Sequence, residues 1–99
     1  MEREIKEALF WWLEKRYKNK VITTVALKAN GSCNIADIVM ASRDLYAFEI
    51  KGPNDTLRRL PAQIDAYTRL FDYVYVVYWR GKFEIEDKRV GLIEVYNKR

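Results

Sequence analysis

Three charged side chains lie in the most apolar part of this chain. Asp37 interrupts the apolar run 35–40, and Glu49 and Lys51 come at the end of the run 45–50. Two ionised carboxylates side by side repel each other, and burying an unpaired one costs several kcal/mol. A divalent cation with oxygen ligands commonly resolves this conflict, and Mg²⁺ suits one or two carboxylates together with water and phosphate. The sequence therefore predicts a Mg²⁺ site, with a cross-strand salt-bridge cluster as the alternative.

The two apolar runs are predicted to pair as an antiparallel hairpin. Both are rich in β-forming residues, and only a short polar loop at residues 42–44 separates them. If Ala41 faces Leu45, the register places Asp37 opposite Glu49, with their Cβ atoms roughly 5 Å apart. Lys51 then follows on the same face of the strand. Because the loop lacks glycine, a register shifted by one residue is also possible, and it would separate the carboxylates.

Length and composition bound the class of protein. The chain has 99 residues, 49% of them hydrophobic, which predicts a single domain, 1–99. Its apolar runs are far shorter than the roughly 20 residues that span a bilayer, and its N-terminus lacks a signal-peptide pattern. A single cysteine, Cys33, excludes an intrachain disulfide and fits a reducing compartment. We therefore expect a cytoplasmic protein without a membrane partner.

Residue types also restrict the chemistry. The chain contains no histidine, which excludes histidine general acid–base catalysis, histidine-based triads and most zinc sites. Any chemistry must use carboxylates, lysine, tyrosine and metal-bound water. The net charge of +4 favours an anionic partner, with nucleic acid the first candidate and an ordinary basic surface the alternative.

Hydrophobic periodicity predicts two helices and five strands. The first helix runs from residue 2 to about 18 and the main helix from 60 to 71, with Pro61 in its first turn. In the first helix Trp11 and Trp12 cannot both face the core, so one of them is expected to be exposed. The expected core positions of the helices are Ile5, Ala8, Leu9, Trp12, Leu13, Tyr17, Leu60, Ile64, Tyr67, Leu70 and Phe71. The strands are predicted at 21–27, 35–40, 45–50, 73–79 and 90–95, with turns at 28–32 and 80–82.

Helical side chains are candidates to complete the site. Gln63 and Tyr67 are one turn apart, so the glutamine could hold a phosphate oxygen or a metal-bound water while the tyrosine positions Lys51 or the backbone. The alternative is that Tyr67 belongs to the core and Gln63 to its rim. Glu2 lies on the buried stripe of the first helix and could reach the sheet, or it could simply stabilise the helix start.

The candidate residues follow one another in a definite order. The chain begins with an N-terminal helix. An acid follows on the second strand, then Glu-x-Lys at the end of the third strand and Gln-x-x-x-Tyr on the next helix. Over residues 2–79 this order resembles the PD-(D/E)-x-K nuclease superfamily, most closely its small RecB-like and VRR-Nuc-type (virus-type replication-repair nuclease) branch. Ala36 stands where the superfamily name has proline.

The resemblance implies a fold and an activity. The fold would be a restriction-endonuclease-like α/β core in the order α-β-β-β-α-β, plus a C-terminal edge strand. The activity would be that of a Mg²⁺-dependent DNA endonuclease, with Mn²⁺ as a substitute. The implied metal ligands are Asp37, Glu49 and the Ile50 carbonyl, and the other implied site residues are Lys51, Gln63, Tyr67 and Glu2. Lys28, Arg58 and Arg59 are candidates for contacting flanking phosphates.

Stand-alone members of this branch are similar to structure-specific nucleases of repair or recombination. The resemblance therefore implies branched DNA, such as a four-way junction, as the substrate and a homodimer that supplies two active sites. The spare tryptophan, the Tyr-rich strand and the last strand are the candidate interface elements. Two rival hypotheses are a catalytically inactive nucleic-acid-binding module on the same fold, and a structural or inhibitory partner protein.

Overall fold

A computed structural model describes the backbone of residues 2–29, 32–53, 55–81 and 83–96, and no side chains at 25–29 or 32–35. Two helices and five strands form this part of the chain. In chain order they are α1 (Glu2–Arg16), β1 (Val21–Ala29), β2 (Ser32–Ala41), β3 (Leu45–Lys51), α2 (Leu60–Thr68), β4 (Tyr73–Trp79) and β5 (Val90–Val95). The predicted α/β class is confirmed.

The five strands form one mixed sheet in the order β1-β2-β3-β4-β5. The pairs β1–β2 and β2–β3 are antiparallel. The pairs β3–β4 and β4–β5 are parallel, and α2 is the crossover between β3 and β4. The predicted register of the central hairpin is confirmed, because Ala41 pairs with Leu45 and Val39 with Ala47.

The helices cover opposite faces of the sheet. From α1, Ile5, Leu9 and Leu13 pack in one cluster with Phe48, Ile50 and other residues of β2, β3 and β4. From α2, Ala66 and Tyr67 pack with the alternate residues of β2, β3 and β4. Successive side chains of a strand point to opposite faces, so each helix receives one half of β3.

Several predicted core positions and boundaries are wrong. Trp12 is 45% exposed and Leu70 is 53% exposed, and Ala8 is also exposed, so none of the three belongs to the core. Helix α1 ends at Arg16 rather than near residue 18. Helix α2 ends at Thr68 rather than at 71, where the backbone tightens and the Leu70 N–H bonds the Tyr67 carbonyl three residues back.

The first two strands are longer than predicted. They extend through Ala29 and from Ser32, so most of the expected turn at 28–32 belongs to the ladder. Residues 30, 31, 54, 82 and 97–99 lie outside the described residues, together with the parts of the predicted turns at 28–32 and 80–82 that fall on them. In the described ranges, neither helix is long and apolar enough to cross a membrane.

Candidate functional site

A bulge in β2 separates Asp37 from the regular sheet. Thr23 pairs with Val39 and Val25 with Ala36, so two residues of β2 stand opposite the single Thr24. A bulge of this kind bends the strand and re-aims a side chain. The β2–β3 ladder stops before Asp37, whose Oδ2 instead accepts the backbone N–H of Ile50 at 2.8 Å. The bulge therefore brings the Asp37 carboxylate to the C-terminal end of β3.

The second carboxylate, that of Glu49, is held by helix α2. Its side chain is buried at 5% exposure. The Tyr67 hydroxyl donates to Glu49 Oε1 at 3.1 Å, and Gln63 Nε2 donates to Glu49 Oε2 at 3.1 Å. The same Gln63 accepts a hydrogen bond at 3.3 Å from Lys51 Nζ, which lies 3.7 Å from Glu49 Oε2. Sheet and helix thus join in one buried hydrogen-bonded chain.

This geometry corrects the roles expected for the helical side chains. Tyr67 is fully buried and its hydroxyl donates to Glu49. Gln63 is buried and bonds both Glu49 and Lys51, so it is a connector and not a rim residue. The buried face of α2 therefore contributes residues both to the site and to the hydrophobic core.

The electrostatics of the site are dominated by the two acids. Burial, and then the charge of Asp37, raise the pKa of the Glu49 carboxyl to about 8, although the Lys51 ammonium acts in the opposite direction. Burial and the neighbouring Glu49 also raise the pKa of the Tyr67 hydroxyl, which therefore stays protonated as a donor. One ammonium does not offset two carboxylates, so additional positive charge would favour ionisation of Glu49.

A cavity of about 350 Å³ collects most of the predicted site. Its lining residues are Glu2, Asp37, Glu49, Ile50, Lys51, Asp55, Thr56, Arg59 and Gln63. Glu2 thus reaches this cavity from the start of α1, as predicted. Arg59 lines it from the residue before α2, and its exposed side chain is open to an incoming anion.

Two other basic residues were expected to contact flanking phosphates. Arg58 is exposed and does not line the cavity, and the Lys28 side chain is outside the described residues. Asp55 and Thr56 line the cavity although the sequence did not mark them as site residues. Asp55 Oδ2 accepts the Gly52 N–H at 2.6 Å. The available signal was an aspartate just after Gly52 and Pro53, a composition typical of turns.

The donor set suits a weakly coordinated Mg²⁺ better than an all-protein metal cage. Among the described residues, no group of three or more His, Cys, Asp or Glu side chains is arranged to hold a metal. Asp37 and Glu49 nevertheless face one open cavity. Asp37 Oδ2 and both oxygens of Glu49 accept these hydrogen bonds, and each of the three keeps a second lone pair. Mg²⁺ keeps several waters and needs only one or two carboxylates plus phosphate.

Comparison with known proteins identifies the relatives of this chain. A family model described as Bacteriophage P4 protein cII matches residues 1–99. The chain belongs to this family. A curated relative, protein cII of Enterobacteria phage P4, is 37% identical over 78 residues, which are 77% of this chain and 29% of that protein. The chain therefore spans less than a third of the length of this curated relative.

Membership of the P4 protein cII family contradicts the PD-(D/E)-x-K assignment. The predictions of a VRR-Nuc-type nuclease, of Mg²⁺-dependent DNA hydrolysis and of a role in cutting branched DNA are therefore wrong. The physical reason is that short polar motifs indicate a buried charged site on an α/β sheet, but they do not determine what that site does. The site residues and Mg²⁺ stay predictions, since neither depends on hydrolysis.

Proposed function

We propose that this chain is a DNA-binding domain that holds a backbone phosphate through a Mg²⁺ ion on Asp37 and Glu49, without cleaving the strand. One observation carries the proposal. The two carboxylates share a single open cavity with Lys51 and Arg59, so sites for a cation and for an anion are adjacent. A phosphate oxygen would complete the coordination of the metal, and the two basic side chains would face the remaining phosphate charge.

The proposed Mg²⁺ site is supported by the shortage of positive charge between Asp37 and Glu49. Asp37 and Glu49 approach closely enough for Asp37 to raise the pKa of Glu49 by its charge and by a side-chain hydrogen bond. A Mg²⁺ ion would replace that repulsion with attraction to both groups. The Ile50 carbonyl, expected as a further ligand, belongs to a residue that lines the same cavity.

The support for DNA is the charge of the chain and the position of its basic residues. The net charge is +4, and Arg59 lines the cavity mouth with Arg58 next to it in the sequence. Contacts of arginine to phosphate give affinity that falls with salt and carries no sequence preference. Binding without cleavage is what a regulatory protein of a phage requires, and we propose that role. The restriction-endonuclease-like topology and the homodimer belong to the same proposal.

The proposal is tested by DNA binding with and without a divalent cation. Fluorescence anisotropy of a labelled duplex would be measured at low salt in Mg²⁺, in Ca²⁺ and in EDTA. We expect binding at least about tenfold tighter with either cation, and we expect Asp37→Asn to remove that gain, which corresponds to about 1.4 kcal/mol.

A matched control comes from the other end of β3. Asp72 Oδ2 accepts the Leu45 N–H at 2.8 Å, as Asp37 accepts that of Ile50, but Asp72 is not at the cavity. Asp72→Asn should therefore keep the cation dependence. Equal DNA affinity in Mg²⁺ and in EDTA would contradict the proposed Mg²⁺ site. Absence of DNA binding would contradict DNA as the partner. The DNA is expected to be recovered intact, and cut strands would contradict binding without cleavage.

A further inference from the structure

A second cavity of about 500 Å³ lies between α1 and the strands β1 and β2. It is larger than the carboxylate cavity and is not used by the proposed metal site. On α1 it is lined by Phe10 and Trp11, whose rings pack edge to face with centroids 5.5 Å apart. Trp11 is 63% exposed, so a face of its indole ring is open to solvent. The α1 groove, as we call this cavity, is therefore an aromatic surface without an occupant from the described residues.

Polar and basic side chains border the aromatic surface of the α1 groove. Arg3 and Lys6 line it from the first turns of α1, and the exposed Thr23 and Thr24 line it from β1. Glu7 also lines it, but the Glu7 carboxylate is 3.5 Å from the Arg3 guanidinium, within salt-bridge distance. Lys6 has no ion pair within the described ranges, so the local charge is positive. The groove thus offers an open ring face next to cations and hydroxyl groups.

This combination matches the chemistry of an unpaired nucleotide. A base offers a flat π face that stacks on tryptophan whatever its sequence, and its phosphate is attracted to lysine and arginine. The Thr23 and Thr24 hydroxyls already donate to backbone carbonyl oxygens, and each keeps a lone pair that can accept a hydrogen bond from the edge of a base. A partner protein binding to an apolar groove would gain little from the basic border, so the charge favours a single strand as the occupant.

The α1 groove lies next to the carboxylate cavity. Glu2 lines the carboxylate cavity and the next residue, Arg3, lines the α1 groove. Thr24 Oγ1, at the groove, donates to the carbonyl oxygen of Asp37 at 3.1 Å. Nine helical steps of 1.5 Å separate Glu2 from Trp11, or about 13 Å, which is the rise of about four stacked nucleotides at 3.4 Å each. A single strand can therefore reach both sites.

We propose that the α1 groove binds an unpaired nucleotide of DNA, with its base stacked on Trp11 and its phosphate beside Lys6 and Arg3, a few nucleotides from the phosphate at Asp37. This inference rests on the proposed function and narrows the ligand to DNA with a single-stranded portion. It adds a base-stacking site that the metal site does not supply.

The test compares three labelled DNAs in Ca²⁺ at low salt, namely a blunt duplex, the same duplex with a four-nucleotide overhang, and a single strand of thymidines. Wild-type protein should bind the overhang and the single strand more tightly than the blunt duplex. Trp11→Ala should weaken binding of the two DNAs with unpaired bases by about 5- to 100-fold, the usual effect of one lost stack, and leave the blunt duplex unchanged. Trp11→Phe should restore most of the affinity.

Trp12→Ala is the matched control. Trp12 neighbours Trp11 on the same helix, but it lines a different cavity beside β5 and contacts Arg16. Its removal should leave all three affinities unchanged. Circular dichroism should show that Trp11→Ala is folded, as expected for a largely exposed side chain.

The outcomes separate the two proposals. If Asp37→Asn removes cation-dependent binding but Trp11→Ala binds every DNA as the wild type does, the stacking site is overturned and the proposed function stands. Equal losses in Trp11→Ala and Trp12→Ala would also overturn the stacking site. If the wild type binds none of the three DNAs, the proposed function fails, and the stacking site fails with it.

Discussion

At the scale of single residues, Gln63 decides how the site is connected. Its amide donates to Glu49 and accepts from Lys51, so one side chain of α2 links two side chains of β3. An apolar residue there would leave both charged partners without that bond inside a buried region. Every buried side-chain nitrogen or oxygen in the described part of the chain has a hydrogen-bond partner. The site is therefore organised before any ligand arrives.

Lys51 is predicted to have opposite effects on the two ligands. Its ammonium lies 3.7 Å from Glu49, where it repels a cation and attracts a phosphate. We expect Lys51→Met to bind Mn²⁺ several-fold more tightly in the absence of DNA, measured by the loss of the free-ion signal in electron paramagnetic resonance.

The same Lys51→Met variant should bind duplex DNA more weakly in Ca²⁺, measured by anisotropy. Lys6→Met serves as the control for Mn²⁺, because Lys6 does not line the carboxylate cavity. Weaker Mn²⁺ binding by Lys51→Met would contradict this arrangement of charges.

At the scale of elements, α1 shows how a helix with apolar residues on several sides is oriented. Leu9 is 1% exposed and packs on the sheet, whereas Trp12, three residues later, is 45% exposed. The strands bury a narrow stripe formed by Ile5, Leu9 and Leu13, and the larger indole rings remain outside. This arrangement leaves Trp11 free for the α1 groove.

Substitutions on α1 should separate its core from its surface. Leu9→Ala should reduce the free energy of unfolding by about 2 to 5 kcal/mol, because it opens a cavity in the cluster under α1. Trp12→Ala should change it by less than about 1 kcal/mol, as is usual for exposed positions. Urea denaturation followed by circular dichroism measures both. A larger loss for Trp12→Ala than for Leu9→Ala would contradict the observed orientation of the helix.

At the scale of the whole molecule, the sheet ends at β5, and apolar side chains collect near this edge. Leu92 is 43% exposed and Tyr96 is 56% exposed. A cavity of about 220 Å³ between α1 and β5 is lined by Ile93 and Tyr96, among others. The last strand, the Tyr-rich strand and the spare tryptophan were the expected elements of a homodimer, which stays a prediction.

The homodimer is predicted to form through this edge. Sedimentation velocity at micromolar concentration should give the mass of two chains, and Leu92→Lys should give the mass of one, because a buried lysine would lack a partner charge. Leu45→Lys is the control, since Leu45 is similarly exposed, at 43%, but lies on β3. A wild-type protein that sediments as a monomer would contradict the prediction.

Local patterns were sufficient for the elements and for the hairpin of the site. The alternation of β2 and β3 and the loop between them determined the pairing of Ala41 with Leu45, although the ladder ends at Ile38 and Phe48, one residue before Asp37 and Glu49. Helical spacing placed Gln63 and Tyr67 on one face of α2. These features depend on neighbours in the sequence, so composition and periodicity predict them.

Only the tertiary structure decided how these parts meet. Three features depend on contacts between elements that are distant in the sequence. They are the bulge opposite Thr24, the hydrogen bonds from α2 to Glu49 and the exposure of both adjacent tryptophans. The sequence by itself determined the elements, the hairpin register and a charged site on the sheet. Tertiary packing decided which side chains are buried beside that site, because burial depends on what every other element covers.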